Sequence, residues 1–168
     1  MYCIKDILVS KNIIKKAKDD KLKQELKILK FEKPVYMGNI MADMIIDHFK
    51  GKIFNTKIDY LVPAQQSVRN LRKHNPHPLT VTLERLSKHY KLPICIPFHP
   101  WFKPNLGYRP YVSGELKIEA TDDILLLKGK HVLLIDDIIT TGHTMKRAFD
   151  LLNANDVRVT MVVCFQWA

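Results

Sequence analysis

Cysteine is scarce in this chain. Cys3, Cys95 and Cys164 are the three present in 168 residues, and no CxxC spacing occurs. An odd set without that spacing excludes a disulfide framework and a thiolate zinc site, which leaves three ordinary thiols. Long apolar runs are also missing, since no stretch reaches the ~20 residues that a membrane helix needs. The start, MYCIKDILVSKNIIKK, lacks the charged-then-apolar order of a secretory signal, so no membrane span and a cytoplasmic location are expected. Internal repeats and low-complexity tracts are absent as well. Acidic residues are the last shortage: 17 Asp and Glu face 27 Lys and Arg, a net charge of +10.

What is present is a core-forming sequence. Hydrophobic residues make up 46% of the chain, enough to bury a real core, and the length suits one domain. The expected organisation is a single domain over residues 1–168 with 1–21 as a basic N-terminal segment. The positive charge is uneven. Residues 69–109 hold eight basic residues against one acidic, and residues 1–33 hold ten against five, whereas residues 110–168 hold six against eight. Blocks of this kind suggest an anionic partner, either phosphate groups or nucleic acid.

Leu22, Leu26 and Leu29 recur at helical spacing up to the turn Glu32-Lys33-Pro34. Met37, Ile40, Met41, Met44, Ile45 and Phe49 repeat at three and four, with Gly51 as a C-cap. Ile58–Val62 reads as a buried strand stopped by Pro63. Leu79, Leu83, Leu86 and Tyr90 give a third helix with Pro78 in its first turn. Leu92–Phe98 reads as a short strand broken by prolines, and from His99 to Thr121 the pattern is lost among prolines and glycines. Val132–Ile135 is a buried strand, Thr144–Asn153 a helix and Val157–Phe165 a last strand. Strands alternating with helices indicate an α/β fold whose mainly parallel sheet is flanked by helices.

The chemistry concentrates in one stretch, Val132-Leu-Leu-Ile-Asp136-Asp137-Ile-Ile-Thr140-Thr141-Gly142-His143-Thr144. Four apolar residues bury a strand, two carboxylates emerge at its C-terminal end, and a Thr/Gly turn leads into a helix. Ligands of open α/β sheets bind at that edge. A helix N-terminus presents unpaired N–H groups and partial positive charge, so residues Thr140, Thr141, Gly142, His143 and Thr144 can hold a phosphate, and Gly142 permits close approach and unusual φ. Carboxylates touching that phosphate would repel it. Asp136 and Asp137 therefore suit sugar hydroxyls or a hard cation, directly or indirectly. Phosphate, polyol and Mg2+ together describe a sugar phosphate. No GxxxxGK[ST] loop is present.

This stretch resembles the phosphoribosyl-pyrophosphate (PRPP) signature of type I phosphoribosyltransferases: apolar strand, two acids, two apolar residues, then TTGxT. The resemblance implies the fold of that family, with Asp136 and Asp137 on the ribose 2′- and 3′-hydroxyls and Thr140 to Thr144 on the 5′-phosphate. Other segments are similar to the ComF competence family. Ile28-Leu29-Lys30-Phe31 is similar to its LKF segment and Leu61-Val62-Pro63 to its VP strand end. Arg72-Lys73-His74-Asn75-Pro76 keeps Arg and Asn of an RGFNQ loop. Arg109 with Tyr111-Val112-Ser113-Gly114 is similar to an R..NVxG segment, with a one-residue gap and Tyr for Asn. The four-cysteine zinc ribbon of many relatives has no counterpart here. Arg69 is the candidate pyrophosphate contact, and Arg109 the candidate of a flexible loop over PRPP.

His74, His77, His89 and His99 lie near one another in sequence, but no carboxylate or Cys joins them at a ligand spacing, so they read as solvated loop histidines. The segment 69–109 interleaves cations with Tyr90, Phe98, Trp101, Phe102 and Tyr108. Cations on a backbone track and aromatics under bases are what single-stranded DNA binding uses, which makes Arg72, Lys73 and Trp101 nucleic-acid candidates. Packing of Phe98 in the core and a solvated charge face is the plainer alternative.

The leading expectation is a Mg2+-dependent phosphoribosyltransferase, a glycosyl-group transferase that binds PRPP or another ribose 5-phosphate compound and displaces pyrophosphate at ribose C1, with Asp136 and Asp137 as its catalytic acids. The alternative is a ComF-like competence protein that binds PRPP and single-stranded DNA without turnover. The acceptor stays unread, and a homodimer is left open.

Overall fold

A computed structural model describes residues 15–17, 20–50, 57–64, 76–99, 118–139 and 141–167. Cys3, Gly51 and the stretch from Pro100 to Lys117 lie outside them. Four strands form one sheet: β1 (Lys15–Ala17), β2 (Tyr60–Pro63), β3 (His131–Ile139) and β4 (Arg158–Trp167). Their order is β1-β4-β3-β2, and every pairing is parallel. Register follows Leu61 on Leu133, Val62 on Leu134 and Ile135 on Val162. All four strands therefore end on one edge of the sheet, with Pro63 beside Ile135.

A parallel sheet needs cover on both faces, and β3 shows how the sequence provides it. Val132, Leu133, Leu134 and Ile135 are all fully buried. Leu133 and Ile135 join Val162 and Cys164 in a cluster covered by α1 (Asp20–Glu32), α2 (Pro34–Phe49) and α3 (Pro78–Tyr90). Val132 and Leu134 join Met161 and Val163 under α4 (His143–Ala154) and a 3-10 turn, Asp122–Leu127. Truncating a residue as buried as Leu133 to Ala costs about 2–5 kcal/mol.

Each helix shows the stripe its burial requires. Met37, Met41, Ile45 and Phe49 line one side of α2, Leu79, Leu83 and Leu86 one side of α3, and Met145, Ala148 and Leu152 one side of α4. α2 and α3 pack closely because Gly38 has no side chain: a Cβ there would stand 2.6 Å from both Pro78 O and Val81 Cβ. Thr82 Oγ1 spans the same junction, set to donate to Gly38 O (3.1 Å) or Pro78 O (2.9 Å). Arg85 donates to Asn39 and pairs with Asp43 across the two helices.

Several sequence expectations are corrected. Leu92–Phe98 is not a strand: it makes two isolated bridges, Ile94 to Leu61 and Phe98 to Ala120, because Pro93 and Pro97 have no N–H to give a ladder. β2 ends at Pro63 as expected, with the proline as its last residue, but it begins at Tyr60 and not at Ile58. His77 is no solvated loop residue. It is 4% exposed, and its Nδ1 accepts the N–H of Leu79 at 3.2 Å as the N-cap of α3. β1 and the 3-10 turn were not expected.

Candidate functional site

The site is built at the C-terminal end of β3. Up to Ile135 the strand alternates between the two core clusters. Past the acidic pair the order changes, with Ile138 packed against the cluster of α1 to α3 and Ile139 against that of α4. Between them the two acids differ. Asp136 is half-buried, and its Oδ1 accepts the N–H of Asp137 at 2.8 Å. Asp137 is buried, its Oδ1 accepting the N–H of Ile138 at 2.8 Å and its Oδ2 in an ion pair with Lys30 Nζ.

Lys30 reaches the acid because of its place on α1. It lies four residues after Leu26 and one after Leu29, both in the apolar contact of that helix with the first cluster. Its stem therefore follows the covered side, and its side chain is 14% exposed.

The charges separate the two carboxyls. Burial alone would raise Asp137, but the Lys30 ammonium, its hydrogen bond, the nearby His77 and the Ile138 N–H outweigh it and hold the group below the usual carboxylate range. Asp136 is pushed well above that range, first by desolvation and then by the negative charge of Asp137. Cys164, in the core behind the pair, has its thiol driven far up by burial and by the charges of Asp137 and Asp136, so it is no nucleophile.

After β3 the chain turns into α4. Gly142 adopts φ +76°, a left-handed conformation that favours glycine, and stands at the N-cap of α4. Among the described residues no side chain caps this helix, and its first turn carries no acid. The first-turn amides keep their donors for an anion. Thr141 and His143 are exposed and Thr144 half-buried beside them, so four of the five expected cradle residues fall together. Thr140, Arg69, Arg72, Lys73, Trp101 and Arg109 lie outside the described residues. Of the aromatics weighed for base stacking, Phe98 is buried in the core and Tyr90 packs against it, its hydroxyl 3.5 Å from Ile46 O.

Among the described residues no three His, Cys, Asp or Glu side chains gather as a metal cluster. Mg2+ needs less, since it binds through one or two carboxylates together with waters and substrate phosphates. Half-buried Asp136, which has no ion pair to Lys30, is the one left for that role, whereas Asp137 is engaged by Lys30. The residue that sequence reasoning missed is Lys30 itself. Its signal was a cation in the apolar stripe of α1, which calls for a buried counter-charge.

Residues 105–166 match the family model described as the phosphoribosyl transferase domain. An orotate phosphoribosyltransferase of Yarrowia lipolytica is 54% identical over 37 residues, 22% of this chain and 17% of that protein. A hypoxanthine-guanine-xanthine phosphoribosyltransferase of Plasmodium falciparum is 36% identical over 52 residues, 31% of this chain and 22% of that protein. The match thus spans less than a quarter of the length of either relative. An adenine phosphoribosyltransferase from Leishmania donovani superposes with a TM-score of 0.53 at 14% identity, over 83% of this chain and 56% of that one, a likeness of fold. No described helix is long and apolar enough to cross a membrane. The strand, acidic pair, left-handed glycine and first residues of α4 all lie inside the matched span, so residues 105–166 are similar to the phosphoribosyl transferase domain, and the chain has a phosphoribosyltransferase-like fold.

Proposed function

We propose that this protein, as one domain over residues 1–168, binds PRPP at the C-terminal end of β3 and catalyses displacement of its pyrophosphate at ribose C1. The observation that carries the reading is the joining of Asp136 to the uncapped N-terminus of α4 through Gly142 at φ +76°. In this reading the amides at the start of α4, with the hydroxyls of Thr140, Thr141 and Thr144, hold the 5′-phosphate. Asp136 accepts a hydrogen bond from a ribose hydroxyl and fixes the ring, and Asp137 keeps that strand end in place. The acceptor's lone pair forms the new bond to C1 as the C1–O bond to pyrophosphate breaks, and the pyrophosphate leaves with that electron pair. The protein contributes position and fixed charge rather than covalent chemistry. Mg2+ supplies charge neutralisation of the pyrophosphate when bound, with Asp136 as the residue to approach it, Asp137 indirectly through its neighbour, and Arg69 and Arg109 as further cations for the leaving group. The buried thiols Cys95 and Cys164 fit the reducing cytoplasm where this reading places the protein.

A second reading rests on the charge of residues 69–109, eight basic against one acidic. It makes the protein a ComF-like competence factor that keeps the PRPP pocket and binds single-stranded DNA through Arg72, Lys73 and Trp101 without turnover. The burial of Phe98 and the packing of half-buried Tyr90 against the core remove two of its stacking candidates, so the enzyme is favoured. Pyrophosphate release from PRPP with purine, pyrimidine and amine acceptors, beside a single-stranded DNA titration, tests the two. Turnover with any acceptor supports the enzyme. Salt-sensitive DNA affinity without turnover supports the binding protein.

A further inference from the structure

Two adjacent carboxylates beside a phosphate cradle are an electrostatic problem, because both repel the anion the cradle is built to hold. The chain carries its own answer on a remote element. Lys30, on the core-facing stripe of α1, is 14% exposed at its side chain and pairs with the 7% exposed side chain of Asp137. Asp137 is thereby occupied on both oxygens, by Lys30 and by the Ile138 N–H. Asp136 is half-buried, with its Oδ1 tied to the Asp137 N–H and no ion pair to Lys30.

We propose that Lys30 is the positioning residue of the acidic pair: its ammonium compensates the buried charge of Asp137, leaving Asp136 as the carboxylate that meets the ribose, so that the ribose 5-phosphate moiety binds without a divalent cation. The proposal rests on the reading of this strand end as a ribose 5-phosphate site. Mg2+ is then a companion of the pyrophosphate and not a requirement of the sugar. The arrangement also explains why a lysine occupies an apolar stripe: removing it leaves the Asp137 charge buried and unpaired, next to the incoming phosphate.

The test is calorimetric titration of ribose 5-phosphate into the full chain, with Mg2+ and with EDTA. The wild type is expected to bind equally in both. Lys30→Met should weaken binding about tenfold or more in EDTA, the scale of a lost charged hydrogen bond, and Mg2+ should recover most of that loss. Lys30→Arg should stay near the wild type. The double variant Lys30→Met/Asp137→Asn removes both charges, so no orphan charge burdens its fold, and it should show none of the Mg2+ dependence that Lys30→Met gains. A merely structural role for Lys30 would not create a Mg2+ dependence. If Lys30→Met binds as the wild type in EDTA, or the double variant folds and its binding still depends on Mg2+, the proposal is overturned while the site stands. If the wild type does not bind ribose 5-phosphate, or Asp136→Asn leaves its binding unchanged, the site reading falls and the proposal with it. Should Lys30→Met fail to fold by circular dichroism, the double variant decides alone.

Discussion

Asp136 Oδ1 accepts the main-chain N–H of Asp137 at 2.8 Å, so the first carboxylate is anchored to the backbone of the second residue while the second carboxylate turns away to Lys30. Two neighbours of the same chemistry thus have opposite environments. One is desolvated beside a like charge, the other compensated.

That contrast sets the pH dependence of stability. Asp136 is held well above its ordinary value of 3.8, so the fold binds its proton more tightly than the unfolded chain does. Its stabilisation is complete below the ordinary value and is lost as pH rises through the raised one. Asp137 is held below 3.8 and acts in the opposite sense: its contribution is present above the ordinary value and lost as pH falls through the depressed one. Asp136→Asn mimics the neutral acid while leaving Asp137 and Lys30 paired. It is expected to raise Tm at pH values above the raised one, with the gap to the wild type closing as pH falls through it. Thermal unfolding across that range checks it, and a lower Tm for the variant above the raised value would contradict the charge placement.

The Gly142 turn gives a second prediction. A side chain at φ +76° is strained by about 1–2 kcal/mol, and a Cβ there would press Ile139 Cδ1 at 3.3 Å. Gly142→Val should therefore weaken ribose 5-phosphate and PRPP by the same factor, since the two share the 5′-phosphate. If calorimetry shows loss for PRPP alone, this turn holds pyrophosphate.

Gly38 serves as the contrast, because it shapes the fold away from the acids. With Pro78 O and Val81 Cβ each 2.6 Å from a new Cβ, Gly38→Ala should destabilise by about 1–3 kcal/mol through overpacking. Urea denaturation reads the loss, and ribose 5-phosphate affinity should be unchanged in the variant that remains folded.

Much of this was legible from residue pattern, and the failures have physical causes. Val132–Ile135 could be read because a strand covered on both faces needs an unbroken apolar run, and the stripe of Met37, Met41 and Ile45 because a one-sided helix needs its period. His77 was misread because histidine is not a preferred cap; it serves since its buried Nδ1 can accept as a Ser or Asp oxygen does. β1 is Lys-Lys-Ala, three residues without alternation, and its place is set by the edge of β4 that it covers. The apolar Ile124–Leu127 run resisted reading because it is one 3-10 turn, with Ile124 and Leu127 inward and Leu125 and Leu126 exposed. Lys30 stands in the apolar stripe of α1 and so calls for a buried counter-charge, but which acid supplies it depends on the packing of α1 on the sheet, which no local pattern reports.

The basic segment supplies a fourth prediction. If residues 69–109 track single-stranded DNA, the logarithm of affinity should fall linearly with the logarithm of salt at about −0.7 per phosphate neutralised. Arg72→Glu with Lys73→Glu should lower both affinity and slope, whereas Trp101→Ala should cost about 1–3 kcal/mol of stacking with little change in slope. PRPP binding should survive the Trp101 change. Binding indifferent to all three residues, or none at low salt, would leave the segment as a loop over PRPP or a solvated face.

The most direct measurement is calorimetric titration of PRPP with Mg2+ into the wild type and Asp136→Asn, chosen over Asp137→Asn because the latter would strand the buried Lys30 charge. The expected result is PRPP binding by the wild type and a loss of about 1.5–3 kcal/mol in the variant, the scale of a hydrogen bond to a charged group, with its circular dichroism unchanged. Equal PRPP affinity in the two folded proteins would contradict the placement of the ribose at the end of β3.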